Sequence, residues 1–255
     1  MTLIIATIED GEAYIESDTL MTVVHPGLVG QDQNSLVNQL QPKVRLLNDG
    51  QYAVAFAGLD IGFYDVMRQI KTETSASVIK ASLLEIHNTT LADGEGNATD
   101  FIFSSANPVE IWRICGGDII QVTDICHIGD TTAFNSILHE QEKPVGAREL
   151  PSRQEKISYE FDQLLTDNKF PYVGGVLIGV QSYAGRFSYL KRMFSSFQLC
   201  DNVEEWFDDI DGSTTDMVSF IPLEGGKLRI CFPESNACYD FVESERGHME
   251  PTRVD

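Results

Sequence analysis

The stretch that decides the fold is the amino-terminal one, Met1-Thr-Leu-Ile-Ile-Ala-Thr-Ile-Glu-Asp10-Gly11-Glu-Ala-Tyr-Ile-Glu-Ser-Asp18. Two short apolar runs lie on either side of Asp10-Gly11, a dipeptide that favours tight β-turns, so the stretch predicts a β-hairpin. Removal of Met1 would leave Thr2 at the start of the first strand. An N-terminal threonine combines a hydroxyl nucleophile with an α-amine whose ordinary pKa, about 8, suits a general base.

Three further segments follow Thr2 in a characteristic order. Asp18 lies sixteen residues later in Asp18-Thr-Leu-Met-Thr22, and Lys43-Val-Arg-Leu-Leu precedes Tyr52-Ala-Val-Ala-Phe-Ala-Gly58. This order resembles the proteasome β-subunit family, and most closely its bacterial HslV-like peptidases. That family begins Thr-Thr-Ile-Val, has a strand ending in Asp-x-x-x-Thr, and continues with Lys-Val-Arg-Arg-Leu and Ala-Gly-Phe-Ala-Gly. The resemblance is specific over residues 2–60 and looser to about residue 140.

The resemblance implies an α+β fold of the N-terminal nucleophile hydrolase class, a four-layer αββα sandwich of two facing sheets covered by helices. The order of predicted elements alone indicates only a mixed α and β protein with sheets. We expect a single proteasome-like domain over residues 1–255, with a divergent C-terminal extension from about residue 193. The family further implies a homo-oligomeric ring of six or seven protomers, a polypeptide substrate and an ATP-dependent unfoldase as partner.

Apolar spacing and turn residues predict the remaining elements. The polar stretch 23–41 is expected to be a long loop, residues 203–209 an acidic segment with helical potential, and residues 243–255 a frayed end. Strands are expected at 43–47, 51–57, 101–103, 110–114, 118–122, 126–129, 172–180, 186–190, 217–221 and 228–232. Helices are expected at 59–71, at 131–140 and at 152–168, and a further helix is expected to begin after an N-cap at Ser75.

Amide hydrolysis needs a nucleophile, a base that also protonates the leaving amine, and donors for the oxyanion. The Thr2 hydroxyl would be the nucleophile and the Thr2 α-amine the base. A nearby Lys43 ammonium would stabilise the alkoxide form of Thr2 and lower the pKa of the amine. A buried lysine needs a counter-ion, and Asp18 would supply it. We therefore predict Thr2, Asp18 and Lys43 as the catalytic residues.

Other roles are implied by the resemblance. The backbone N–H of Ala57 falls on the oxyanion position, and Thr22 and Ala55 fall on positions that bind the substrate main chain. A small Ala55 implies a deep pocket that tolerates apolar groups. Where the family has Gly-Ser-Gly, this chain has Gly129 followed by Asp130 and Thr131, which we predict as possible supporting residues.

A second departure lies further along the chain. The family has Asp-x-x-Ser-Gly-Gly before its next strand, where this chain has Phe170-Pro-Tyr-Val-Gly174-Gly175. Alignment of the glycines removes both polar side chains. Asp167 lies three residues before Phe170 and is a candidate replacement for the lost carboxylate.

Composition limits the possible partners. A net charge of −21 disfavours nucleic acid and anionic membrane surfaces as partners. The sequence contains no apolar run of the length, about 20 residues, that a membrane-spanning helix needs, and its start does not resemble a signal peptide. Five dispersed cysteines without a Cys-x-x-Cys spacing predict reduced thiols and a cytoplasmic protein. Neither a metal nor another cofactor is expected.

Three functions stay open on the sequence. The first is a threonine peptidase within a ring that restricts access to its active sites. The second is a catalytically impaired subunit of the same fold, kept for assembly or binding. The third is a small-amide hydrolase that uses the same N-terminal nucleophile. Whether Met1 is removed separates the first two, and the oligomeric state separates the third from the first.

Overall fold

The protein is described by a computed structural model. It covers residues 2–24, 36–40, 42–58, 63–92, 98–141, 152–167, 169–170, 173–194, 218–223, 227–232, 237–243 and 249–254. The segment 203–209 lies outside these residues. In chain order the elements are β1 (Leu3–Glu9), β2 (Glu12–Ser17), β3 (Leu20–Val24), β4 (Leu36–Leu40), β5 (Val44–Leu47), β6 (Tyr52–Ala57), α1 (Phe63–Ile70), α2 (Ala76–Ala92), β7 (Asp100–Ala106), β8 (Val109–Cys115), β9 (Asp118–Val122), β10 (Ile125–Gly129), α3 (Thr131–Gln141), α4 (Arg153–Thr166), β11 (Ile178–Tyr183), β12 (Arg186–Tyr189), β13 (Arg192–Phe194), β14 (Val218–Leu223), β15 (Lys227–Phe232), β16 (Ala237–Glu243) and β17 (Met249–Val254).

The amino-terminal hairpin forms as predicted. Asp10 and Gly11 connect β1 to β2 with positive φ angles of 53° and 79°, the conformation of a two-residue turn that matches strand twist. The register pairs Ile4 with Ser17 and Ala6 with Ile15. This hairpin is central to an antiparallel sheet with the strand order β10-β1-β2-β11-β12.

A second antiparallel sheet has the order β5-β6-β7-β8-β9, and its strand β6 is buried on both faces. Along β6, Val54 and Phe56 join one apolar cluster, whereas Ala53 and Ala55 join another. The alternation follows from the two-residue period of a strand, which sends successive side chains to opposite faces. A sheet buried on both sides has a nearly continuous apolar sequence, as Tyr52–Ala57 does.

The helices supply much of this cover. Residues Val66 and Met67 of α1 and Ile79 and Leu83 of α2 belong to the cluster on one face of the second sheet. The larger cluster includes residues of both sheets together with side chains of α3 and α4. Each fully buried large apolar side chain stabilises the fold by about 1.5–3 kcal/mol. The core is therefore shared between these sheets and the helices packed against them.

Helix α4 shows why the helical predictions succeed. Ser152 takes an extended conformation before the helix, and its hydroxyl accepts a hydrogen bond from the Glu155 N–H at 3.0 Å. Ile157, Phe161 and Leu164 then lie on one buried face. An N-cap followed by apolar residues at offsets of four and seven is a strong local signal for a helix.

Two predictions for polar segments are wrong. Residues 36–40, expected within a loop, form β4 and pair with β3, and residues 249–254, expected to be frayed, form β17. The C-terminal strands make a sheet with the order β13-β14-β15-β16-β17. Four apolar side chains of this sheet are buried in the larger cluster, and their burial stabilises the sheet (Leu228, Ile230, Tyr239 and Phe241).

The prediction of uniformly reduced thiols is also wrong. Cys231 of β15 and Cys238 of β16 form a disulfide, whereas Cys115 and Cys126 are free. The two bonded residues are direct partners in the β15–β16 register, with their Cα atoms 4.1 Å apart. Such cross-strand proximity cannot be inferred from cysteine spacing alone, because it depends on the strand register.

The described helices include none long and apolar enough to cross a membrane.

The turn between β5 and β6 joins the two sheets, and glycine is required there. Gly50 has φ +83°, its carbonyl accepts a hydrogen bond of 2.6 Å from the Phe187 N–H of β12, and an added Cβ would lie 2.4 Å from the Phe187 oxygen. We expect Gly50→Ala to lower the free energy of unfolding by more than the 1–2 kcal/mol or so of left-handed strain, because the Phe187 backbone must also move. Urea denaturation measures the effect.

Gly11→Ala is the matched control for this substitution. Gly11 has a similar φ of +79°, but no atom lies within 4 Å of an added Cβ. The Gly11→Ala variant should therefore lose only the part of the free energy of unfolding that comes from left-handed strain. Equal losses in the two variants would show that the contact with Phe187 does not constrain the junction.

Candidate active site

Three predicted residues meet where β1 begins, β2 ends and β5 begins. Because Ile4 pairs with Ser17, the next positions outward bring Leu3 beside Asp18, and the Asp18 N–H donates to the Leu3 oxygen at 3.2 Å. The Thr2 hydroxyl then donates a hydrogen bond to Asp18 Oδ1. The hairpin register therefore brings the start of β1 beside Asp18, and the side-chain contact with Thr2 forms just beyond the paired part of the two strands.

Lys43 enters this group from the other sheet. It precedes β5, and its Nζ lies 3.0 Å from both Asp18 carboxylate oxygens and donates to the Thr2 hydroxyl. All three residues are almost completely buried, with Thr2 4% exposed, Asp18 0% and Lys43 2%. The structure therefore brings together a hydroxyl, a carboxylate and an amine that the sequence separates by up to 41 residues.

Burial shifts the Lys43 amine toward its neutral form. Desolvation lowers the pKa of Lys43 below its ordinary value, and the Asp18 carboxylate opposes the shift through its charge and hydrogen bond. A neutral amine can accept a proton, and a charged one can stabilise an alkoxide. A lysine held in this balance can serve either role beside the Thr2 hydroxyl.

Backbone groups complete the environment of the Asp18 carboxylate. The Leu3 N–H donates to Oδ1 at 3.0 Å, and the Gly174 N–H donates to Oδ2 at 3.2 Å. Hydrogen bonds to a carboxylate are stronger than those between neutral groups. Gly174 therefore contributes a backbone donor in the segment where the resemblance had implied side-chain groups.

The start of β1 is also held by the end of β10. The Asp130 N–H donates to the Thr2 carbonyl oxygen at 2.7 Å. A Cβ added to Gly129 would lie 1.9 Å from that same oxygen, and Gly129 has φ +91°. Glycine is thus required at 129 because the backbone of Thr2 lies directly against it.

The predicted supporting side chains are directed elsewhere. Asp130 Oδ1 accepts hydrogen bonds from the Thr132 and Ala133 N–H groups, both at 2.9 Å, and so caps α3. The Thr131 hydroxyl lies 3.1 Å from His127 Nε2. The structure therefore brings the Asp130 backbone, but neither of these two side chains, to Thr2. Asp167, the other candidate, ends α4 and pairs with Lys169 at 2.6 Å.

The positions implied for substrate binding lie on two strands. Ala55 and Ala57 belong to β6 and are 0% and 3% exposed. Ala55 is the partner of Val44, directly after Lys43, and the Phe56 N–H donates to the Lys43 oxygen at 3.2 Å. Thr22 lies in β3 opposite Asn38. Their roles toward a substrate stay predictions.

Sequence reasoning missed two contributors to this site. Thr19 and Gly174 contact each other and lie directly beside Asp18, with Thr19 only 2% exposed. A polar residue after a strand-terminal aspartate and a glycine before a buried strand were the available signals. Both signals are weak, because turns and strand ends commonly contain such residues.

Comparison with solved structures gives the chain a proteasome-like fold. One similar structure is a Gly-1 mutant of Anbu from Hyphomicrobium sp. strain MC1, with a TM-score of 0.53, 15% identity, and coverage of 74% of this chain and 86% of that one. Another is Anbu, an ancestral beta-subunit, from Yersinia bercovieri, with a TM-score of 0.52, 13% identity and coverage of 73% and 86%. No protein-family model and no curated protein matches the chain. At these identities the likeness shows the fold alone, and it does not single out the HslV-like branch.

The buried ion pair makes a prediction about stability. Asp18→Asn leaves the buried Lys43 without its counter-ion, and we expect it to lower the free energy of unfolding by about 3–5 kcal/mol. Lys43→Ala should cost a comparable amount, because it leaves Asp18 uncompensated. Urea denaturation of both variants measures these losses.

Asp124→Asn is the control for the loss of a charge. Asp124 pairs with Arg153 at 2.5 Å, but the two side chains are 63% and 44% exposed. Exposed pairs contribute about 0–1 kcal/mol, so this variant should unfold nearly as the wild type does. If Asp18→Asn were equally mild, the buried pair would not stabilise the site.

Proposed function

We propose that the chain is a proteasome-like threonine hydrolase that cleaves peptide bonds with Thr2 as its nucleophile. The observation that carries the proposal is the contact of the Thr2 hydroxyl with both Asp18 and Lys43 in a buried site at the start of β1. A proteasome-like fold with this group at its N-terminal strand supports the same chemistry. Function beyond the fold rests on this geometry.

The mechanism starts with removal of Met1, which frees the Thr2 α-amine. The amine, acting through a water molecule, accepts the hydroxyl proton while Thr2 Oγ forms a bond to the scissile carbonyl carbon. Lys43 stabilises the developing negative charge on Oγ, and Asp18 keeps Lys43 in place. The Ala57 N–H is the proposed donor to the oxyanion.

Collapse of the tetrahedral intermediate breaks the C–N bond. The leaving amine takes the proton held by the Thr2 amine, and an ester to Thr2 Oγ remains. Water, activated by the same amine, then attacks the ester and releases the acid and the free hydroxyl. Thr22 and Ala55 are proposed to hold the substrate main chain during both steps.

The proposed fold is the four-layer αββα sandwich, within a single domain that has a C-terminal extension. Support comes from the side chains of α1 and α2 on one face of the β5–β9 sheet and from the shared cluster of the two sheets with α3 and α4. The proposed assembly is a homo-oligomeric ring fed by an ATP-dependent unfoldase in the cytoplasm. A peptidase nucleophile needs restricted access, which a ring provides.

One observation favours a second function, that of a catalytically impaired subunit. The side chains of Asp130 and Thr131 are engaged in capping α3 and contacting His127. They are therefore directed away from the place where the family has an assisting serine. The two functions differ in whether Thr2 reacts with an electrophile.

The first test is covalent labelling at Thr2. A peptide epoxyketone requires both a free α-amine and its neighbouring hydroxyl, so we expect the purified protein to lack Met1 and to be labelled at Thr2. Intact mass measurement and peptide mapping locate the adduct. Thr2→Val should abolish both the labelling and the hydrolysis of fluorogenic peptides.

Thr7→Val is the matched control. Thr7 lies in β1, five residues after Thr2, and is also 4% exposed, but its hydroxyl donates a hydrogen bond to Gln154 Oε1 at 2.6 Å, away from Lys43. This variant should keep wild-type labelling. An intact Met1, or a lack of labelling in a folded preparation, would favour the impaired subunit.

The second test concerns assembly. With a net charge of −21 on every chain, association needs specific contacts that offset repulsion. We expect light scattering coupled to size exclusion, at moderate salt, to show a particle of six or more 28.4 kDa chains. A stable monomer would remove the argument for a closed chamber and favour a small-amide hydrolase.

A further inference from the structure

The segment before β11 lies directly beside the end of β2. The β2–β11 register pairs Ser17 with Ile178, so the chain continues outward with residues 173–176 next to Asp18 and Thr19. The Gly174 N–H reaches Asp18 Oδ2 at 3.2 Å. The position of this segment therefore determines whether the Asp18 carboxylate keeps one of its hydrogen bonds.

Thr19 holds the segment by two hydrogen bonds. Its hydroxyl oxygen accepts from the Val176 N–H at 2.9 Å, and its N–H donates to the Gly174 oxygen at 3.2 Å. Thr19 is 2% exposed and Val176 is 5% exposed. Bulk water has little access to either group, and loss of the hydroxyl would leave the buried Val176 N–H without this acceptor.

We propose that Thr19 is a positioning residue of the active site, whose hydroxyl fixes residues 173–176 so that the Gly174 N–H stays on the Asp18 carboxylate. Thr19 acts through Gly174 and Asp18, and its catalytic consequence rests on the proposed function. The structural part of the proposal, the link from Thr19 to the Asp18–Lys43 pair, stands on the hydrogen bonds alone.

The link reaches Lys43 through the carboxylate. Asp18 receives Gly174 N–H on Oδ2 while Lys43 contacts both of its oxygens at 3.0 Å. Burial lowers the pKa of Lys43, and Asp18 opposes this shift. A carboxylate that turns out of alignment opposes it less, so the Lys43 amine loses its proton at a lower pH.

The experiment follows the titration of Lys43 by NMR of protein labelled with 13C at lysine Cε. Thr19→Val removes the hydroxyl at nearly constant volume. We expect the Lys43 midpoint to move down by about half a pH unit or more, as the loss of one hydrogen bond would produce. Thr19→Ser retains the hydroxyl and should titrate as the wild type does.

Thr90→Val is the matched control for the same chemical change. The Thr90 hydroxyl accepts a hydrogen bond from the Thr99 N–H, also at 2.9 Å and also buried, but it lies on α2. This variant should leave the Lys43 midpoint unchanged. An unchanged midpoint in Thr19→Val, or an equal shift in Thr90→Val, would overturn the positioning role.

If Thr19→Val does not fold, Thr19→Cys is tested in its place. Thr19→Cys keeps the size of the side chain and offers Val176 a weaker acceptor, so it should shift the Lys43 midpoint in the same direction by a smaller amount. The absence of any shift in a folded Thr19→Cys would overturn the proposal.

Reactivity separates this inference from the proposed function. If the wild type is labelled at Thr2, Thr19→Val should be labelled about threefold to tenfold more slowly, the loss expected for one hydrogen bond. The labelling rate of the variant should also begin to fall at a lower pH on the alkaline side, because Lys43 loses its proton at a lower pH. An unchanged rate profile would contradict the catalytic consequence. If the wild type is not labelled, the proposed function fails, and the Lys43 titration still decides the role of Thr19.

Discussion

The buried contact between Asp18 and Lys43 is the interaction on which the rest of the site depends. Removing two charges from water costs several kcal/mol for each ion, and only close, well-directed contacts offset that cost. Here both carboxylate oxygens lie 3.0 Å from the amine, and backbone N–H groups of Leu3 and Gly174 donate to the same carboxylate. Because Asp18 follows β2 and Lys43 precedes β5, the pair also fixes how the two sheets meet.

Backbone N–H groups supply several of the hydrogen bonds that hold the site together. The main chain at Asp130 and at Gly174 supplies N–H donors at two places where the family resemblance implies polar side chains. A backbone donor does not titrate and has no rotamer freedom, so it holds its partner over a wide pH range. It does require close approach of two main chains, which explains why position 129 must be glycine.

Much of the fold was accessible from local patterns. The Asp10-Gly11 turn predicted the first hairpin, and apolar spacing predicted α3 and α4 within a few residues. The strand Leu36–Leu40 and the last strand were missed, because these segments form strands by pairing with other strands and carry no strong strand pattern in their own sequence. The bond between Cys231 and Cys238 was missed for the same reason, since only the register of β15 and β16 places these residues opposite each other.

The sequence by itself determined that the start of β1 lies beside Asp18, because a two-residue turn and antiparallel pairing leave one register for the first hairpin. It also identified Lys43 as a partner, through spacing shared with a known family. Only the tertiary structure decided that Gly174 and Thr19 join this group and that the Asp130 backbone N–H contacts Thr2. These contacts form between segments more than 100 residues apart, and their geometry is set by the packing of sheets and helices.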